Sequence, residues 1–290
     1  MSLPQRKKLR ELMAAPGMIV APGGGTPLDL RLIEQAGFDV GYMTGYGCAC
    51  VRYGVPDVGL IGYGELEETV RAMRQVTEIP LIVDCDTGYG DIANVKRTVE
   101  GMEALGVAGV QFEDQVWPKK CGHMAGKFVE PRDVAVRKVR TAVAARTDPG
   151  LLIIARTDSR GPHGMDEAMD RAKMFMDAGA DMIFFDGPKS LEELHQICDA
   201  DIGPQMANMS ETGLTPILSA KELEEIGFKL TIWPSTTSRI AVRQVSEFLS
   251  HLKETGDSRP WLDKMASLEE TNTKLGLNEV KAFEDVVNCD

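Results

Sequence analysis

The sequence has little that would take it to a membrane or to a nucleic acid. No apolar run approaches the length of a membrane-spanning helix. The formal charge is -12, and a main partner made of phosphates would need a basic surface. The first twenty residues, MSLPQRKKLRELMAAPGMIV, have basic residues but no uninterrupted apolar core ahead of a cleavage site, so no signal peptide is read there. The six cysteines are scattered along 290 residues and form no disulfide framework. A reducing cytoplasm is the expected location. Cys48 and Cys50 have no second Cys/His pair at zinc spacing, and they read as small buried residues. No Gly-Lys-Ser/Thr follows Gly23–Gly25, so that stretch is a strand-to-helix turn and not a phosphate cradle. Lysine is missing from the core of every strand candidate except Lys229, which disfavours an aldolase working through a lysine imine.

What is present is ordinary for a soluble globular chain: 43% hydrophobic and 26% charged residues. Short apolar runs alternate with amphipathic helical stretches. Strands are predicted over 18–22, 39–44, 80–86, 109–114, 151–158, 181–187, 204–210 and 228–235. Helices are predicted near 28–36, 66–77, 91–105, 131–146, 165–178, 190–199 and 219–226. Gly37, Gly106, Gly179 and Gly227 stand where helices should stop. Eight strand–helix units in this length indicate an α/β fold, a parallel (β/α)8 TIM barrel, with a doubly wound open sheet as the runner-up. No linker or low-complexity segment interrupts the chain. Residues 1–290 read as a single barrel domain, with 256–290 a helical C-terminal extension that packs on the barrel or on another subunit.

In a parallel barrel the chemistry sits at the C-terminal strand ends, and the charges fall there. Strand three ends in Asp84 and Asp86, strand four in Glu113 and Asp114, and strand five in Arg156 and Asp158. Strand six ends in Asp186, and strand seven in Asn208, Ser210 and Glu211. Taken singly, Asp91 and Asp158 read as helix caps, and Lys119 with Lys120 reads as a solvated pair. Acidic ends on three successive strands favour a shared site instead. Carboxylates converging without a histidine or thiolate suit a hard cation, Mg²⁺ with Mn²⁺ as substitute. Arg156 offers a bidentate clamp for a substrate carboxylate. Residues 119–127, KKCGHMAGK, set Cys121 between two lysines and a histidine, beside Gly122 and Gly126. Neighbouring positive charge favours a thiolate, and the glycines suggest a loop that moves as a lid.

The stretches VDCDTGYG, QFEDQVWPKKCGHMAGK, ARTD and NMSETGLTP resemble the isocitrate lyase/phosphoenolpyruvate mutase superfamily. The similarity runs from about residue 15 to about residue 270, and it is nearest to the branch holding 2-methylisocitrate lyase, 2,3-dimethylmalate lyase and petal death protein. The resemblance implies a Mg²⁺-dependent lyase acting on a small carboxylic acid. It also implies a tetramer in which paired subunits exchange C-terminal helices. By position, Asp84 would bind the metal directly, Asp86 and Glu113 would hold its waters, and Asp57 would lie near it. Cys121 would protonate the enolate left by carbon–carbon cleavage, with Glu113, Lys119, His123 and Arg156 completing the catalytic set. Thr44, Gly45, Tyr46, Asp57, Gly122, His123, Arg156, Asn208, Ser210 and Glu211 would bind substrate. The resemblance leaves two other reactions in view: hydrolysis of oxaloacetate to oxalate and acetate, and a phosphonate mutase reaction. Three positions depart from the family pattern: Gly25–Thr26 where an aromatic and Asp or Asn are usual, Thr44 for Ser, and Asp186 for Glu. Loss of the aromatic is expected to widen the pocket.

Overall fold

The computed structural model describes residues 3–122 and 124–288. Eight parallel strands close into a barrel in sequence order. They are β1 (Ile19–Gly24), β2 (Gly41–Met43), β3 (Leu81–Asp84) and β4 (Gly109–Glu113). The circuit continues through β5 (Leu152–Thr157), β6 (Met182–Phe185), β7 (Gln205–Asn208) and β8 (Leu230–Trp233). β8 pairs back on β1, with Ile19 opposite Leu230 and Pro22 opposite Trp233, which excludes the open sheet. Every predicted strand is found; β1 starts one residue later than expected and runs two further, to Gly24, and the other seven are shorter. The expected glycine stops at Gly37, Gly106, Gly179 and Gly227 all have φ between +77° and +117°, a region open to glycine at little cost.

Alternation along the strands sorts the apolar residues into two layers. Tyr42, Ile82, Ile154, Phe184, Met206 and Ile232 fill the barrel interior. Met43, Val83, Val110 and Ile153 face outward against the helices, as do Ile183, Phe185 and Ala207 on the other side.

Two long helices were not anticipated from the sequence. Pro4–Ala14 caps the N-terminal end of the barrel, where Leu9 is wholly buried among interior residues. Arg6, on that helix, donates to the carbonyls of Val107 and Glu103 and to Asp148. Its periodicity is weak because a buried arginine sits where an apolar residue would mark the face. The second, Thr236–Thr255, follows β8 and has one buried residue, Ser238. No described helix is long and apolar enough to cross a membrane. The tail after Ser258 is helical, as expected, over Leu268–Lys274 and Leu277–Asn288.

Arg6→Ala should destabilise the protein by about 3–5 kcal/mol, because Asp148 and two carbonyls lose a buried cation. Urea unfolding monitored by circular dichroism would measure this, and a loss below 1 kcal/mol would contradict the capping role.

Candidate active site

The interior lane of each strand reaches the C-terminal mouth two residues after its last buried interior member. Here that residue is polar on six of the eight strands. Thr44 follows Tyr42, Asp84 follows Ile82 and Glu113 follows Gln111. Arg156 follows Ile154, Asp186 follows Phe184 and Asn208 follows Met206. All six border one cavity of about 220 Å³. The loops beyond the strands add Tyr46, Asp57, Lys119, Cys121, Gly122, Ser210 and Glu211 to its wall. Of the residues singled out from the sequence, Gly45 and Asp86 touch this site from behind, and His123 lies outside the described residues.

Asp84 is the hub of the acidic side. Its carboxylate accepts from the Gly45 N–H at 3.3 Å, the Asp86 N–H at 3.2 Å and the Gln111 side chain at 3.4 Å. Asp86 was expected to share a strand face with Asp84. The strand instead ends at Asp84, and Asp86 turns with φ +48°. A Cβ on Gly45 would lie 3.2 Å from both carboxylates, so glycine there leaves them room to converge.

Charge is unbalanced at the mouth. Asp57, Asp84, Asp86, Glu113, Asp158 and Asp186 are buried against three buried cations, Lys119, Lys127 and Arg156. Lys119 pairs with Asp57 and with Asp86, the latter at 2.7 Å. Arg156 forks onto Asp158 at 2.8 and 2.9 Å and stands 3.3 Å from both Glu113 and Asp186. Burial pushes the Asp86 carboxyl up to about 6 against the pull of Lys119. Burial also lifts Glu113 well above the usual carboxylate range, with Arg156 opposing. Desolvation works against the Lys119 ammonium too, but Asp86, Glu113, Asp57 and Asp84 hold it charged well above its ordinary value.

The donor set fits a hard divalent cation. Asp86 Oδ2 and Glu113 Oε1 are buried and have no hydrogen-bond partner among the described residues. All candidate ligands are carboxylate oxygens, as Mg²⁺ or Mn²⁺ prefers. Among the described residues no three such side chains stand close enough to hold an ion alone. An ion with one direct carboxylate and water in its other positions needs no such cluster, and Mg²⁺ keeps several waters.

The 119–127 loop lies over the mouth. The Cys121 N–H donates to the Asp57 carbonyl at 3.1 Å, and half-buried Cys121 borders the cavity. Lys119 is buried rather than solvated, because its ammonium replaces water with two carboxylates. Asp158 is not a helix cap. It accepts from Arg156, Lys127 and Gln115. Asp91 precedes the helix Ile92–Ala104 but makes no side-chain cap bond. Asp114 points away from the cavity. It accepts from the Asp158 N–H and Thr157 Oγ, both at 2.8 Å, and pairs with Arg171 of the helix Met165–Asp177 at 3.1 Å.

Two of the three departures, Thr44 and Asp186, line the cavity. Gly25 and Thr26 do not, so the expected widening there is overturned. A Cβ on Gly25 would meet the Gly47 backbone at 2.2 Å, and Thr26 caps the helix Pro27–Gln35 through Asp29. Arg239 was missed. It reaches the cavity from the helix after β8, hydrogen-bonded to the Glu211 carbonyl and, at 2.8 Å, to Thr212. The β7–β8 pairing sets that helix beside the loop after β7.

The profile of the phosphoenolpyruvate phosphomutase family matches residues 9–253. A probable 2-methylisocitrate lyase of Corynebacterium glutamicum is 44% identical over 265 residues, covering 90% of this chain and 86% of the relative. A crystal structure of 2,3-dimethylmalate lyase, described as a member of the PEP mutase/isocitrate lyase superfamily, superposes with TM-score 0.93 at 36% identity, covering 99% of this chain and 97% of that one. A structure of oxaloacetate acetylhydrolase with the inhibitor 3,3-difluorooxalacetate also gives 0.93, at 31% identity, covering 98% and 97%.

Asp86 and Asp114 each carry a folded pKa of about 6, burial being the main cause. An acid whose pKa is raised on folding binds protons more tightly in the native state. Metal-free protein should therefore become more stable as pH falls from 7 to 5, by on the order of 1–3 kcal/mol. Urea unfolding in chelator at pH 7, 6 and 5 tests this; stability that falls with pH would refute it.

Proposed function

The chain belongs to the phosphoenolpyruvate phosphomutase family and is a carbon–carbon lyase within it, and from that premise we propose its reaction. The substrate is a 2-hydroxy di- or tricarboxylate of the 2-methylisocitrate or 2,3-dimethylmalate type. The products are an α-keto acid such as pyruvate and a smaller carboxylate. One observation supports this most: a loop thiol, a guanidinium and a buried acid cluster with unpartnered oxygens face one small cavity.

Asp84 would hold Mg²⁺ directly, with Asp86 and Glu113 binding its waters. The ion, when bound, supplies charge to stabilise the oxyanion of the substrate hydroxyl. The chain's own groups do the rest. Arg156 clamps a carboxylate, with Asn208, Ser210 and Glu211 around the same end and Thr44, Gly45 and Tyr46 across from them. Glu113 takes the hydroxyl proton as the carbon–carbon bond breaks, a role suited to a carboxylate whose burial favours its protonated form. The departing fragment is a carboxylate enolate, and the Cys121 Sγ–H gives its carbon a proton. Lys119 holds positive charge beside the resulting thiolate. Asp57 fixes Lys119 and the Cys121 amide together. The covering loop keeps bulk water from quenching the enolate.

A second reading, hydrolysis of oxaloacetate to oxalate and acetate, draws support from the structural likeness to oxaloacetate acetylhydrolase. A mutase reaction leaves no carbanion and gives Cys121 nothing to protonate. We also propose that a second copy covers the last helices by exchange, in a tetramer. Leu268, Phe283 and Val286 are 84%, 70% and 76% exposed, apolar side chains that a covering subunit would take out of water.

With Mg²⁺ and 2-methylisocitrate or 2,3-dimethylmalate, pyruvate should appear in a coupled assay. No pyruvate from either acid or close analogues removes this assignment, and oxalate from oxaloacetate would replace it with the hydrolase. Cys121→Ala and Cys121→Ser should lower kcat by about 100-fold or more while leaving Mg²⁺ affinity, measured by calorimetry, unchanged. Asp84→Ala should abolish that calorimetric signal.

A further inference from the structure

Lys127 ends the loop motif, and no role above uses it. Its side chain is 6% exposed, so its ammonium has given up nearly all its water. Three acceptors replace that water: Asp158 at 2.8 Å, Asp186 at 2.9 Å and the carbonyl of Gly122. The first two belong to the rigid mouth of the barrel. The third is loop backbone, immediately after Cys121. An ammonium has three donors, and here all three are engaged across the gap between barrel and loop. Gly122 is seated as closely on its other side. A Cβ there would lie 2.3 Å from Asp186 Oδ2 and 2.5 Å from Arg156 Nη2.

We propose that Lys127 is a positioning residue: by tying the Gly122 carbonyl to Asp158 and Asp186 it sets where the Cys121 thiol stands over the cavity. This rests on the reading of Cys121 as proton donor. Lys127 itself touches no reacting atom. Removing its ammonium leaves the loop backbone with no charged anchor on the Asp186 side, and Cys121–Gly122 lifts from the mouth.

The test is alkylation of the native protein by iodoacetamide, read by peptide mapping, with no substrate present. In Lys127→Met, Cys121 should react roughly tenfold faster, as expected for losing one hydrogen bond to a charged donor. Lys127→Arg, which keeps the cation, should react near the wild-type rate. Cys48 and Cys85 are fully buried and report loosening of the whole fold. Acceleration at Cys121 alone supports the assignment. An unchanged rate at Cys121, or equal acceleration at Cys48 and Cys85, overturns it. If Lys127→Met is insoluble, Lys127→Gln takes its place under the same criteria. Labelling needs no turnover, so this result is independent of which acid is cleaved.

Discussion

The structure turns on an excess of buried acid at the barrel mouth. Among the described residues, six carboxylates are drawn together there and three cations oppose them. Ionised carboxylates out of water are expensive unless paired, so the arrangement persists only because each cation is shared. Lys119 spans Asp57 and Asp86, Lys127 spans Asp158 and Asp186, and Arg156 reaches Glu113, Asp158 and Asp186. Two of the three cations ride on the 119–127 loop and not on the barrel. Seating that loop and neutralising the mouth are therefore one event. The acid left over is what a divalent ion would satisfy, and the unpartnered oxygens of Asp86 and Glu113 mark where.

Much of this was legible in the residues. The Asp84, Glu113 and Arg156 positions follow from a period of two counted along three strands, and the closed barrel from the even spacing of eight apolar runs. The charges and glycines of 119–127 singled out Cys121, and the family likeness supplied the role proposed for it. Other features depend on contacts that no local pattern encodes. Lys119 and Lys120 look alike as a sequence pair, yet only the first is buried, because Asp57 and Asp86 wait for it across 62 and 33 positions. Lys127 meets Asp186 across 59 positions. Arg239 meets Glu211 and Thr212 across 28 and 27 positions. The helix Pro4–Ala14 hides because its buried Arg6 breaks the apolar stripe. Thr26, read as a departure from the family pattern, is here taken up in capping a helix.

Asp114 carries a further implication. It faces away from the cavity, fastens the end of β5 through the Asp158 amide and Thr157, and is itself held by Arg171 on an outer helix. The aim of the Arg156 guanidinium is thus fixed partly from the periphery of the molecule. Changes in that peripheral shell can therefore re-aim Arg156. Lineages of this scaffold then have a route to new preferences that leaves every cavity-lining residue as it was.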